Sequence, residues 1–122
     1  LSSQSEAKSV ATADIATMIK NADIDAGAKI FKKCATCHSI NQGGGNKVGP
    51  NLYGVIGRKR AAVSGFNYSN ALKAKAGVWT VEDLDLWIAK PKDFVPGNKM
   101  GFAGLKKDKD RANVIAYLKS AK

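Results

Sequence analysis

Histidine occurs once in this 122-residue chain, and cysteine and methionine occur twice each. So few candidate ligands exclude most metal centres built from protein alone. A structural zinc site needs about four donors, and Cys34, Cys37 and His38 leave it one short. Long apolar runs are also missing, since none approaches the roughly 18 residues of a membrane-spanning helix. No segment alternates apolar and polar residues as a half-buried strand does. Acidic residues are scarce, with 10 Asp and Glu against 20 Lys and Arg, for a formal charge of +10. No block consists of Lys and Arg alone, and no aromatic strip is interleaved with the basic residues. These absences count against a nucleic-acid-binding tail and against any nucleic-acid partner.

What is present is an ordinary globular composition, 44% hydrophobic and 25% charged. The length suits one small domain. Charge within residues 1–22 cancels, Lys8 and Lys20 against Glu6 and Asp14, so residues 23–122 hold the whole +10. A field of that sign attracts acidic surfaces.

Ala11, Ile15, Met18, Ile19 and Ala22 recur at helical spacing, so residues 1–22 are either a short amphipathic helix or a linker. Asp23 caps a helix from about Ile24 towards Cys34, with Gly27 placed for close approach of another backbone. Residues 39–67 are glycine-rich loop, and a loop of that length needs something to pack against. Ser69 to about Lys75 forms a short helix. Thr80 starts another, with Asp83 as a capping-box partner, Leu84, Trp87 and Ile88 as its stripe and Pro91 as its stop. Asp108 caps the last helix, whose stripe is Ala112, Ile115 and Leu118 with Val114 and Tyr117 beside it. The fold class is therefore all-α, with long loops.

Cys34-Ala35-Thr36-Cys37-His38 carries the chemistry. The C-x-x-C-H spacing is that of covalent haem c attachment. Two thiols three residues apart each reach one vinyl group of the porphyrin, and the next residue reaches the iron through its imidazole. A dithiol redox motif of the same spacing belongs beside a strand, and no strand is in view. A disulfide closing so short a loop contributes little. With His38 used, the opposite axial position falls to Met18 or Met100. Met100 lies in the irregular turn Pro96-Gly97-Asn98-Lys99-Met100-Gly101, suited to folding over a flat ligand, and is the expected metal ligand with His38. A neutral thioether favours ferrous iron and raises the potential. Two filled axial positions leave no open site, which points to a carrier and away from an enzyme. The plate also gives the long loops an apolar surface, without which four short helices have a thin core.

From Asp23 to Lys119 the chain resembles the class I cytochromes c of mitochondria and α-proteobacteria. The resemblance rests on Gly27-Ala28-Lys29-Ile30-Phe31, Cys34 to His38, Gly49-Pro50-Asn51-Leu52-Tyr53-Gly54, Gly57-Arg58-Lys59, Gly65-Phe66-Asn67-Tyr68, Trp79, Pro91-Lys92, Pro96 to Met100, Phe102-Ala103-Gly104 and Ile115-Ala116-Tyr117-Leu118. It implies a class I cytochrome c fold of about four to five short helices around one covalent haem. It implies that Cys34 and Cys37 hold the haem and that His38 and Met100 ligate its iron. The Pro50 carbonyl would take the other His38 N–H. Arg58, Tyr68 and Trp79 would bond a buried propionate, with Asn98 nearby. Gly27 and Phe31 would meet Tyr117 and Leu118 at a helix crossing. Trp87 stands where the family often has a Tyr that bonds the Met sulfur. Gly101 replaces a bulky residue, Leu72 a polar one and Asp93 a Lys.

The implied function is one-electron transfer from a quinol-oxidising cytochrome bc complex to a terminal cytochrome c oxidase. The alternatives are donation to another periplasmic reductase, or peroxidase-like activity if Met100 dissociates. Lys33, Lys47, Lys92, Lys99, Lys106 and Lys107 would ring the haem edge and meet acidic docking surfaces on both partners. The implied state is a monomer in the periplasm, or alternatively in the mitochondrial intermembrane space. The expected domains are an N-terminal extension or linker over residues 1–22 and a cytochrome c domain over 23–122. The extension reads either as a linker or, alternatively, as the stalk of a membrane-anchored cytochrome whose anchor lies outside this chain.

Overall fold

The computed structural model describes residues 15–121. Residues 15–20 are helical (α1) and lead into α2, Ile24–Ala35. After a long loop come α3, Asn70–Ala74, α4, Val81–Ala89, α5, Pro91–Phe94, and α6, Asp108–Ser120. No strand occurs among the described residues, and Lys59 and Val78 form an isolated antiparallel bridge. Residues 1–14, the greater part of the expected extension, lie outside the described residues.

Local chemistry sets most boundaries. The Asp23 carboxylate accepts from the Ala26 N–H at 3.1 Å and caps α2, with Asp25 in the first turn. Ser69 caps α3 through the Leu72 N–H at 3.1 Å. Thr80 caps α4 through the Asp83 N–H at 3.0 Å. The expected reciprocal half of that box is absent, because the Asp83 carboxylate is held 2.9 Å from Arg60 instead. Pro91 cannot continue α4, so it ends that helix and opens α5 at its first position. Asp108 does not cap the last helix as expected. It is the first residue of α6, behind Lys107, and favours the helix through the macrodipole.

The core forms where α6 crosses α2 and packs on α4. Ala112, Val114, Ile115, Ala116 and Leu118 are buried on α6, and Phe31 on α2. Phe31 and Tyr117 meet with ring centroids 5.4 Å apart. Gly27 faces the Asn113 backbone so closely that a Cβ there would overlap the Asn113 carbonyl oxygen. The Asn113 side chain accepts from the Asp23 N–H at 3.0 Å, tying α6 to the start of α2. Ile15 is fully buried and Ile19 nearly so, both within this same cluster. Residues 15–20 therefore pack as part of the core.

Candidate functional site

The last turn of α2 delivers the C-x-x-C-H segment. Cys37 N and His38 N both donate to the Cys34 carbonyl, at 3.0 and 2.9 Å, which winds the three side chains around one turn. Both cysteines are free thiols and half-buried. Burial pushes the Cys34 thiol up, as does neighbouring Cys37, against the pull of Lys33.

His38 is locked by the loop beneath it. Its Nδ1 lies 2.7 Å from the Pro50 carbonyl oxygen. A carbonyl only accepts, so Nδ1 carries the proton and the Nε2 lone pair is free. Burial lowers the imidazole pKa, the Arg58 charge adds to this, and the Pro50 bond opposes it. The neutral form is the one that ligates metal. Gly49 lies against the ring, where any Cβ would overlap His38.

In place of a sheet, the loop is held by isolated backbone bonds, Gly49 N to Cys37 O at 2.7 Å and Leu52 N to Ser39 O at 2.9 Å among them, and by side-chain hydrogen bonds. The Asn51 amide donates to Ser39 Oγ at 2.7 Å and to the Asn41 carbonyl at 3.0 Å. Its carbonyl oxygen accepts from Tyr53 N at 2.8 Å. The Arg58 Nη1 donates to the Asn51 and Tyr53 carbonyls at 3.0 and 3.3 Å. The Arg58 Nε, also buried, has no hydrogen-bond partner among the described residues. A buried donor left over in this way calls for an acceptor, and burial lowers the Arg58 pKa, opposed by Tyr68. Arg58 and Trp79 are joined through their backbones, Trp79 N to Arg58 O at 2.8 Å and Gly57 N to Trp79 O at 2.7 Å. Tyr68 and Trp79 are buried, and the Tyr68 hydroxyl accepts from Val63 N at 2.9 Å while keeping its own proton to donate.

Met100 is half-buried in the loop between α5 and α6. Its N–H donates to the Asn98 side-chain oxygen at 2.7 Å. The Asn98 amide donates to the Pro91 and Val95 carbonyls at 3.0 and 2.9 Å. Both amide hydrogens of Asn98 are thus spent inside the loop, so its work there is to shape the Met100 turn. Met18 lies elsewhere, beside Ala112 and Asn113 at the helix crossing. Trp87, Trp79 and Phe94 form an aromatic cluster, with the two indoles 5.6 Å apart. Lys33, Lys47, Lys92, Lys99, Lys106 and Lys107 are all exposed, as are many other lysines, so exposure alone does not single them out.

Two arginines escaped the sequence reading. Arg60 donates to the Lys75, Ala76 and Val78 carbonyls at 2.7–3.0 Å and lies over the Trp79 ring, 5.1 Å from its centroid. Arg111 pairs with Asp85 at 2.5 Å, both buried. The signal was available for the second pair. Asp85 interrupts the apolar run of α4 beside Leu84, and Arg111 falls on the apolar stripe that continues to Ile115 and Leu118.

The donors present suit a planar, acid-bearing iron chelate. They comprise two thiols, a free imidazole nitrogen, a thioether and an orphan guanidinium hydrogen. Among the described residues no cluster of three or more His, Cys, Asp or Glu is placed to hold a bare metal ion.

The family model described as cytochrome c matches residues 24–122. A protein of Theileria parva called cytochrome c is 53% identical over 105 residues, 85% of this chain and 90% of the relative. Cytochrome c-550 of Ancylobacter novellus is 50% identical over 97 residues, 77% of this chain and 91% of the relative. A cytochrome c homolog of Bradyrhizobium diazoefficiens is 50% identical over 115 residues, 93% of this chain. The match spans only 62% of that relative's own length. With an all-α fold, a C-x-x-C-H turn and matches that run through nearly all of the described chain, the protein belongs to the cytochrome c family, electron carriers with one covalently bound haem c.

Proposed function

We propose that this chain carries single electrons from a quinol-oxidising cytochrome bc complex to a terminal cytochrome c oxidase, outside the bacterial cytoplasm. The observation that carries the reading is the His38–Pro50 bond of 2.7 Å, which leaves a neutral imidazole with Nε2 free one residue after Cys37. When bound, the haem supplies one iron that gains and loses one electron.

The residues do the rest. Cys34 and Cys37 hold the porphyrin through thioethers. His38 Nε2 and Met100 Sδ would hold its iron between them, which would leave no place there for a substrate and suits a carrier. Pro50 orients His38 and strengthens it as a ligand. The unpaired Arg58 Nε, the Tyr68 hydroxyl and Trp79 receive a propionate, which a buried setting tolerates only with donors. Lys33, Lys47, Lys92, Lys99, Lys106 and Lys107 steer acidic partners and release them quickly, because exposed charge raises the encounter rate more than the affinity. Among the described residues no helix is long and apolar enough to cross a membrane.

Turnover of a cytochrome c oxidase with this protein as donor, measured against ionic strength, tests the shuttle. The rate should fall steeply between about 0.02 and 0.3 M salt. A flat profile removes the lysine docking, and failure to reduce any oxidase while reducing another reductase redirects the delivery step. Rapid, complete binding of carbon monoxide by the reduced protein at neutral pH would instead indicate an open, enzyme-like site.

A further inference from the structure

The stretch that carries Met100 has almost no structure of its own. Among the described residues, 101–104 form no backbone–backbone hydrogen bond. Gly101 is exposed, with nothing within 4 Å of where a Cβ would stand. The end of the stretch is nevertheless firmly anchored. Gly104 abuts the Ala89 carbonyl at the end of α4, and Leu105 N donates to Ile88 O at 2.9 Å. From α6 the Arg111 Nη1 reaches back and donates to both the Leu105 and Lys106 carbonyls, each at 2.9 Å. Its Nε donates to Asp85 Oδ1 on α4 at 2.5 Å. One guanidinium therefore joins α4, α6 and the trailing end of the Met100 loop.

A buried ion pair is a poor device for stability alone. Taking two charges out of water offsets most of their attraction, and apolar replacements of similar size are often neutral. What such a pair does supply is fixed geometry, since a guanidinium presents its donors in a rigid fork. The fork here sets the distance between α4, α6 and the loop that lies between them.

We propose that Arg111 and Asp85 are positioning residues for Met100, holding the trailing end of its loop shut and so governing how readily an outside ligand displaces the thioether. This rests on the reading of Met100 as an axial ligand. The pair acts through the Leu105 and Lys106 carbonyls, and none of its side-chain hydrogen bonds reaches Met100 itself. Loop opening is the step that any external ligand must wait for, and the pair makes that opening unfavourable.

The test is imidazole binding to the ferric holoprotein, followed by absorbance, with the global unfolding midpoint measured on the same samples. Arg111→Met should tighten imidazole binding at least tenfold. Arg111→Lys, which keeps a charge for Asp85 but loses the fork, should recover part of that change. Asp85→Asn keeps the guanidinium and its carbonyl bonds, so it folds even where Arg111→Met does not, and should tighten binding about threefold. The double variant Asp85→Leu/Arg111→Met should regain global stability yet keep the tighter imidazole binding. Ile15→Ala, which destabilises the α1 part of the core, should leave imidazole affinity within twofold. If all Arg111 and Asp85 variants stay within twofold, or if Ile15→Ala shifts affinity in proportion to lost stability, the pair is structural only. A Met100→Ala variant with unchanged imidazole affinity, in a protein lacking the Met–iron absorption band, overturns the ligand reading and the clamp with it.

Discussion

Where α6 crosses α2, Phe31, Val114, Ile115 and Leu118 interlock and Gly27 lets two backbones touch. Between α2 and α3 the chain runs for over thirty residues with no helix or strand, and its order comes from scattered backbone pairs such as Gly49 N to Cys37 O and Leu52 N to Ser39 O, and from single side chains: Asn51, Arg58, Arg60 and the His38–Pro50 bond. The first region is held by area, which many residues share. The second is held by points, of which Arg58 and Arg60 each satisfy several carbonyls at once. A region held by area tolerates the loss of a methyl group, whereas a region held by points fails where a point is removed. On the proposed reading of the site, the haem would belong to the second region, as the surface on which those points close.

The strongest way to break this contrast is to remove the attachment. In Cys34→Ser/Cys37→Ser the porphyrin is no longer held, and the 36–69 loop loses the plate it packs on. Far-ultraviolet circular dichroism should show most helix lost, with no cooperative thermal transition. Small domains need a substantial shared core, and the helix crossing alone is too small to supply one. A variant that still unfolds cooperatively at the parent midpoint would mean that the polar points suffice by themselves.

Next in size is Gly27→Val. Its side chain would overlap the Asn113 carbonyl and press on Tyr117 Cβ, 3.0 Å from where the first carbon stands. Backbone cannot step aside as a flexible side chain can, so the helices must separate, at a cost of about 3 kcal/mol. Guanidinium unfolding of the holoprotein measures it. The His38 environment, read by the Soret band in native buffer, should change little, because the crossing and the loop are held by different contacts.

The sequence made the area-held region legible and the point-held region only partly so. Apolar spacing identified the α6 stripe of Ala112, Ile115 and Leu118, and the turn residues Asp23, Ser69 and Thr80 marked three helix starts. Gly27 was readable as a close approach because a glycine inside a helix needs a reason. The clasp of Arg60 leaves no periodic trace, since it binds carbonyls 15–18 residues away, whereas Arg111 and Asp85 are legible only as charges that interrupt two apolar stripes. Asp83 was assigned to a capping box on local spacing, and the long-range competitor Arg60 took its carboxylate. Arg60 with its carbonyls and Asp83, and Arg111 with Asp85, chose partners by three-dimensional proximity, which spacing along the chain does not encode.

Arg60→Met sharpens the contrast within the loop region. The variant removes the guanidinium that lies over Trp79 and Phe94, with its bonds to the Lys75, Ala76 and Val78 carbonyls and to Asp83. Those carbonyls lie in an exposed segment where water can replace the guanidinium, which limits the loss to about 2 kcal/mol. Amide exchange should rise across residues 61–77 and stay unchanged in α2 and α6. Uniform acceleration across both regions would mean that the loop and the crossing open as one unit.

The smallest effect is also the most specific. Ala61, directly after Arg60, has φ of 56°, the one non-glycine residue with positive φ among the described residues. A side chain there costs about 1–2 kcal/mol. Glycine removes that strain but frees the unfolded chain, which offsets about 0.4–1 kcal/mol. Ala61→Gly should therefore stabilise the holoprotein by roughly 0.5–1 kcal/mol, visible as a rise of a few degrees in melting temperature. The pairing of Lys59 with Val78 and the guanidinium bonds of Arg60 fix the backbone on the near side of Ala61, so the strain is imposed by the clasp. In an Arg60→Met background the loop can relax, and the gain from Ala61→Gly should shrink to within error, a coupling that a double-mutant cycle measures directly. An undiminished gain would place the strain in the local turn and leave the clasp out of it.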